Sequence, residues 1–413
     1  MWTDQHRQAG TVTRPAPDHQ TGDGIVGPSM DLLPIVRIGF SAGYAASLAY
    51  LAFALFQVAA YRRRRGPVST ARPPVTIAKP LCGLDASLEE NLRSYFVQDY
   101  PTYEIVFCAR DPDDPALPVV RKVMAEFPGV DATLLVSNGE IAGTNRKVAN
   151  LVTICRRAKY GIMVVADSDI RMEPDGLSSI AACYEDEAVG AATCLTVAEP
   201  LKGLPSTLGA MYLNEEFLPA ILVARAVEPL RYCFGPTMSA RRSALDAIGG
   251  FEALTDHLAD DYLLGQRIAG RGLKVELAGT VTRNILYEPS LKALFLHELR
   301  WARTIRTVRP LGYAGTIVTM PTPWAVALLL ASGFTTAGWL ALGTAFVLRA
   351  GMLLAVRRTF RLERGPAFWW IPVRELLSFA VWCASHLGQN VLWKRNAFRV
   401  STDGRLHEEG VRP

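Results

Sequence analysis

Asp167 and Asp169, one residue apart, close the apolar run Gly161–Ala166. A buried strand that stops at two carboxylates puts both acids at the carboxyl edge of a sheet, where open α/β sheets hold their ligands. Hard oxygen ligands of this kind suit a divalent cation beside a diphosphate. A solvated aspartate turn or a helix N-cap explains an isolated D-x-D as simply, so the weight falls on its companions. Asp111 follows the run Ile105–Ala109 within Arg110-Asp111-Pro112-Asp113-Asp114-Pro115. It can accept a hydrogen bond from a uracil or ribose group, or merely belong to a proline-punctuated turn. Gly143-Thr144-Asn145-Arg146-Lys147 is a glycine turn opening a helix. A helix N-terminus and a first-turn Lys147 both attract phosphate, while Thr144 or Asn145 can act as an ordinary cap. Asp260 and Asp261 open an amphipathic segment ending at Gly270. A carboxylate there, near a sugar, can serve as general base, and Asp260 can equally cap the helix.

A fifth group is His297-Glu298-Leu299-Arg300-Trp301. Helical spacing puts His297, Arg300 and Trp301 on one face, and Arg303, Arg306 and Arg309 extend its basic side. The expectation is a helix on the membrane surface, with Arg300 toward a site and the other arginines toward lipid. Competing chemistries lack their residues. There is no P-loop, no G-x-G-x-x-G, no G-x-S-x-G elbow and no H-E-x-x-H. The 7 cysteines form no C-x-x-C pair and lie mostly in apolar runs, which reads as reduced and free of zinc.

The elements that must position these groups alternate. Strands are expected at Val75–Leu81, Ile105–Ala109, Ala132–Val136 and Ile162–Ala166, with helices at Leu88–Phe96, Leu117–Phe127 and Lys147–Arg157 between them. This alternation predicts βαβ units and a mostly parallel sheet. Further strands are expected at Val189–Val197, Gly235–Ala240 and Lys274–Ala278, in no clear order. Half the residues are hydrophobic, too many for an ordinary soluble domain. Ile38 to Tyr61 carries no charge and is long enough to span a bilayer. Arg62–Arg65 follow at once, which places what comes after in the cytoplasm. Leu311–Leu348 is also uncharged and exceeds one span. It predicts a re-entrant piece plus a helix, or a tight helix pair. A last apolar stretch, Pro366–Trp393, is interrupted by Arg374-Glu375, expected to be self-neutralised or interfacial. Basic residues cluster beside apolar segments, which suits anionic headgroups and not nucleic acid.

Together the groups resemble glycosyltransferase family 2 enzymes of the lipid-directed kind, and more closely the ceramide glucosyltransferase group, family 21. The family pattern of D, D-x-D, D and (Q/R)-x-x-R-W reads here as Asp111, Asp167-Ser168-Asp169, Asp261 and His297-Glu298-Leu299-Arg300-Trp301. Lys79–Gly83, Asp99–Glu104, Asp113–Ala116 and Arg374-Glu375 match its context. His297 stands where the family has Gln or Arg. The stretches Asn214–Pro219, His297–Thr304 and Arg309–Tyr313 are similar to the bacterial hopanoid-biosynthesis subgroup, which implies transfer of N-acetylglucosamine from UDP to a bacteriohopanetetrol-type lipid. Ceramide with UDP-glucose is the alternative.

The resemblance implies a GT-A fold: a Rossmann-like cytoplasmic domain with N- and C-terminal transmembrane helices, in a bacterial inner membrane. The expected organisation is a disordered tail 1–31, a transmembrane helix 32–61, a basic linker 62–74 and a catalytic domain 75–293. An interface helix 294–310, membrane segments 311–393 and a polar tail 394–413 follow. The implied cofactor is Mg²⁺ or Mn²⁺ on Asp169 and Asp167. The implied nucleotide-sugar contacts are Asp111, Lys147, Asp167, Asp260 and His297, and the catalytic residues are Asp261 as base with Arg300 and Trp301. The partners are a UDP-sugar, a lipid acceptor and the bilayer. A polysaccharide synthase would need a chain-conducting path that so few spans do not supply. A non-catalytic scaffold would not need four carboxylate groups.

Overall fold

The computed structural model describes residues 33–62, 72–363, 365–393, 396–401 and 404–408. The expected N-terminal tail, most of the basic linker and part of the C-terminal tail lie outside the described residues.

The strands are β1 (Val75–Leu81), β2 (Tyr103–Ala109), β3 (Asp131–Val136), β4 (Ile162–Ala166), β5 (Ile170–Arg171), β6 (Val189–Pro200), β7 (Thr237–Arg241) and β8 (Lys274–Leu286). They form one sheet in the order β3-β2-β1-β4-β7-β6-β8-β5. The β3-β2-β1-β4 half is parallel, as its helical crossovers require. β7 runs antiparallel to β4 and β6, while β6 and β8 are parallel. The two-residue β5 pairs with β8 and was not foreseen.

Strand alternation builds a core on each face. Val75, Ile77, Ile105, Phe107, Val164 and Ala166 pack under the helices Leu88–Phe96 and Ala116–Glu126. Ala78, Val106, Cys108, Met163 and Val165 pack against the helices Arg146–Arg157 and Asp260–Ala269. Pro80 lies in a central strand, yet the β1–β4 ladder ends at Ala78, so its missing N–H falls beyond that pairing.

Among the described residues two helices are long and apolar enough to cross a membrane, Leu33–Tyr61 and Thr336–Phe360. They run parallel: Tyr44 donates 2.6 Å to the Ala341 carbonyl near one end, and Tyr61 stacks on Phe360 at the other. Between them Pro310–Thr319 and Pro321–Ala331 form a bent pair with a 63° break. Ser47 donates to the Val318 carbonyl and Arg37 to the Ala331 carbonyl. The second member of the pair, Pro321–Ala331, therefore runs antiparallel to the first helix. Leu51, Ala54, Val58, Met352 and Val356 pack on Leu195, Val197 and Leu277, which joins the helices to the sheet.

Arg374 and Glu375 do not neutralise each other. In the helix Trp370–Ser385, Arg374 donates two 2.7 Å bonds to Glu298, and Glu375 pairs at 2.6 Å with Arg349. Adjacent helical residues point about 100° apart, so each side chain finds a different neighbour. The C-terminal region also differs from a plain polar tail. Strands β9 (Asn390–Trp393), β10 (Asn396–Val400) and β11 (Leu406–Glu408) form a small antiparallel sheet. Its Val391, Phe398, Val400 and Leu406 bury Leu258, close to Asp260.

Candidate active site

β1, β2 and β4 are neighbours and end at one edge, so Asp111, Lys79 and the D-x-D converge there from separate stretches of chain. Asp111 is exposed past the end of β2, its Oδ1 accepting 3.0 Å from the Asp113 N–H. Asp114, in contrast, is occupied structurally. Its carboxylate takes the Gly83 and Ala116 N–H groups and so ties the loop after β1 to the helix after β2.

Asp167 and Asp169 leave β4 in a turn closed by the Ile170 N–H on the Asp167 carbonyl at 3.2 Å. Lys147 Nζ lies 2.7 Å from Asp167 Oδ1. Asn284 of β8 donates 2.8 Å to Asp169 Oδ2, and Ser168 bonds Asp85. Burial together with Asp167 and Asp85 pushes the Asp169 carboxyl up to about 6. Beneath the turn, fully buried Lys79 donates 2.6 Å to the Asp167 carbonyl and lies 3.9 Å from the Tyr95 ring centre. Burial lowers it to about 7, against the pull of Asp167, Asp169 and Asp85. A lysine on the core-facing register of β1, in step with Val75, Ile77 and Leu81, was the sequence signal for this residue.

The helix Arg146–Arg157 is capped by Asn145, whose side chain accepts from the Val148 N–H. Thr144 instead turns to Asp256 at 3.0 Å through its N–H. Asn145 also donates to the His257 carbonyl at 2.8 Å and to Asp260 at 3.2 Å. The Gly143–Lys147 turn and the Asp260–Asp261 turn are thus one assembly. The cap of the helix Asp260–Ala269 is Ala259, so Asp260 does not cap it. Asp260 is buried, and its Oδ2 has no hydrogen-bond partner among the described residues. Asp261 is half-buried. Its Oδ1 accepts 2.8 Å from the Tyr262 N–H, and a Cβ on Gly235 would stand 3.0 Å from its Oδ2. Burial and Asp260 raise the Asp261 carboxyl above its ordinary range. Burial opposes the Lys147 ammonium, but Asp167, Asp260 and Asp261 outweigh it and raise its pKa.

The (Q/R)-x-x-R-W segment lies on the helix Leu291–Val308. Arg300 is lowered by burial to about 10, with Asp167, Asp260 and Asp261 opposing that shift. It is therefore a second cation, beside Lys147, within electrostatic range of the acid cluster. Trp301 stacks on Tyr212 at 6.0 Å and lies 4.1 Å from the His297 ring. His297 Nδ1 is 2.6 Å from Glu288 Oε1. The other arginines do not point to lipid as expected. Arg303 and Arg306 bond the carbonyls of Asn390 and Gly388, and Arg309 bonds Glu228 at 2.8 Å. They fasten this helix to the stretch leading into the C-terminal sheet and to the domain.

No group of three or more His, Cys, Asp and Glu side chains forms a complete metal cage among the described residues. The cluster offers two carboxylates on one turn, two cations within electrostatic range of them and two raised carboxylates on a helix first turn. Such a mixed sheet with its acids at the carboxyl edge is a GT-A glycosyltransferase domain. The profile of glycosyl transferase family 21 matches residues 40–406, and the chain belongs to that family of enzymes. It is 25% identical over 347 residues to ceramide glucosyltransferase 1 of Caenorhabditis elegans, covering 81% of this chain and 73% of that protein. It is 30% identical over 232 residues to ceramide glucosyltransferase 3 of the same organism, covering 56% and 50%. Among solved structures, a mannosyltransferase from Pyrobaculum calidifontis in complex with GDP-mannose and Mn²⁺ aligns with TM-score 0.52 and 22% identity, over 86% of this chain and 98% of that one. That likeness bears on the fold alone.

Proposed function

We propose that this chain transfers a hexosyl group, with inversion, from a UDP-sugar to a hydroxyl of a membrane lipid of the ceramide type. The observation that carries the reading is the convergence of the acids at the sheet edge: Lys147 lies 2.7 Å from Asp167, Asn145 joins that turn to Asp260 at 3.2 Å, and the neighbouring Asp261 carboxylate is raised by burial and by Asp260, with Arg300 in electrostatic range. Asp261 takes the proton of the attacking hydroxyl, and Lys147 and Arg300 meet the charge that develops on the departing UDP. Such fixed charges are often the largest catalytic term. Asp111 and Asp167 serve the nucleotide. One base suffices, because UDP leaves without the second carboxylic acid that glycosidases use. Asp260, gripped by Asn145, keeps Asp261 raised.

The donor set fits a divalent cation. Asp169, raised by burial and then by Asp167 and Asp85, carries a charge beside theirs that a cation would relieve. Two carboxylates leave most positions to phosphate oxygens and water, as Mg²⁺ prefers. Asp169 and Asp167 would hold the ion, which when bound neutralises the diphosphate.

The expected pairing of UDP-N-acetylglucosamine with a bacteriohopanetetrol-type lipid draws no support from the relatives, whose names favour glucose and ceramide. The reading includes a multi-pass protein of a bacterial inner membrane with its catalytic domain in the cytoplasm. The antiparallel run of Val318 to Ala331 along Ser47 to Arg37 supports treating the bent pair as a broken crossing. Arg357 and Arg358 end the second long helix on the side where the first meets Arg62.

The test is a donor-by-acceptor panel on membranes carrying the full chain, read by mass. UDP-glucose and UDP-N-acetylglucosamine are each offered with ceramide and with a polyhydroxylated hopanoid. Hexosyl-ceramide is the expected product. A hexosamine adduct on the hopanoid would replace the substrate assignment, and no product from any pair would overturn the transferase reading.

A further inference from the structure

The helix that carries Asp260 and Asp261 begins without a side-chain cap. Its start is therefore set by what holds residues 255–258, just before it. Two neighbours share that loop in alternation. On one side is the Gly143–Lys147 turn. The Asn145 N–H donates 2.8 Å to the Thr255 carbonyl, and the Thr144 N–H donates 3.0 Å to Asp256 Oδ1. The Asn145 side chain donates 2.8 Å to the His257 carbonyl. On the other side is the C-terminal sheet. The Leu406 N–H donates 2.8 Å to the Asp256 carbonyl, and the Leu258 N–H donates 3.2 Å to the Gly404 carbonyl. Between those bonds His257 and Arg405 face each other as a single antiparallel bridge. Leu258 is 6% exposed beneath Val391, Phe398, Val400 and Leu406.

The same sheet is fastened to the helix that presents Arg300. Arg303 and Arg306, one and two turns beyond Arg300, donate to the carbonyls of Asn390 and Gly388 at the start of β9. The ladder then carries that hold across the sheet, since Phe398 of β10 pairs with both Val391 of β9 and Glu408 of β11. The C-terminal sheet thus joins two distant stretches of chain, one bearing the general base and one bearing a site cation. Its apolar cluster is separate from the two cores of the eight-stranded sheet. The attachment can therefore loosen while the donor edge of β1, β2 and β4 keeps its shape.

We propose that the C-terminal sheet is a strap that positions the Asp261 turn against the Arg300 helix, and that it stays docked through turnover. Leu406 and the 257–405 bridge are its positioning contacts. The proposal rests on the transferase reading above and deepens it by naming what holds the base in place.

The test uses the full chain in lipid nanodiscs with UDP-glucose and ceramide, turnover being expressed per UDP-binding site counted by equilibrium dialysis. Leu406→Ser should lower kcat per site about 10–100-fold, the cost of misplacing a reacting group by about 1 Å, while UDP affinity holds. The bridge supplies a rescue. In a pair that exchanges no backbone bonds of its own the Cα atoms stand about 4.5 Å apart, within reach of a disulfide. His257→Cys with Arg405→Cys, added to Leu406→Ser and oxidised, should restore most of the lost turnover, and reductant should remove it again. Without Leu406→Ser the same cysteine pair should turn over no slower oxidised than reduced. Peptide mass confirms the bridge, and the parent chain under both conditions is the control. Unchanged kcat per site in Leu406→Ser, no rescue by a formed disulfide, or a disulfide that slows the Leu406-intact pair would each overturn the strap. All three leave the transferase reading intact, because the parent stays active. A parent that makes no glycolipid would remove both.

Discussion

Glu298→Gln should damage this protein more than most single substitutions outside the acid cluster. Glu298 lies on the helix that presents Arg300 and Trp301, and Arg374 on the helix Trp370–Ser385 grips it with two 2.7 Å bonds. Both side chains are 2% exposed. The same guanidinium lies 5.6 Å from the ring of Tyr212, which carries Trp301. Arg374 therefore supports the motif from two sides. Stranding one charge of a buried pair costs about 3–5 kcal/mol. Glu216, 3.6 Å from Arg374, and Ser378 remain as partial partners, which sets Glu298→Gln near the lower end, about 3 kcal/mol. If the bonds are absent from the unfolding transition state, the inactivation half-life at fixed temperature falls about 100-fold, since 1.4 kcal/mol is tenfold. The assay is thermal inactivation in nanodiscs for Glu298→Gln, Arg374→Met and the double variant. The pair should show coupling of about 2–3 kcal/mol. Additive losses, or a cost below about 1 kcal/mol for Glu298→Gln, would refute the reasoning.

The acid cluster yields two further predictions. Gly235→Ala should lower kcat about tenfold with little change in thermal stability, because its Cβ would crowd Asp261 Oδ2 at 3.0 Å. Unchanged kcat would mean Asp261 is not held there during turnover. Asp169 is raised to about 6 by burial and its acidic neighbours, so its ionised form opposes folding. Its contribution is favourable below the unfolded value of about 4 and is lost as pH rises through 6. In chelator at pH about 7.5, Asp169→Asn should stabilise the protein by about 1–3 kcal/mol while abolishing donor binding. The gain should vanish below about pH 4, and a lower Tm at pH about 7.5 would contradict the sign.

Local periodicity made the first half of the sheet legible. β1, the helix Leu88–Phe96 and β4 fall on the expected residues, and the ends of the neighbouring elements differ by one or two residues. β5 escaped because two residues carry no period and its pairing with β8 is wholly non-local. The C-terminal sheet escaped because its apolar residues gain meaning only against Leu258, far back in the chain. At the site, Asp167, Asp169, Lys147, Asp260, Asp261 and Arg300 were readable as charges at element ends, and electrostatics link them. Asn284 and Glu288 were not, since each is defined by the side chain it meets. Arg374 and Glu375 were noticed as a pair, but only the helix geometry shows that they serve different partners.

The most direct test of the central claim is the anomeric configuration of the glycolipid made from an α-linked UDP-sugar, with Asp261→Asn run alongside. A β-linked product, with turnover falling roughly 10²–10⁴-fold in the variant while donor affinity is kept, is the predicted result. An α-linked product, or near-normal turnover by Asp261→Asn, would contradict a single displacement driven by this carboxylate.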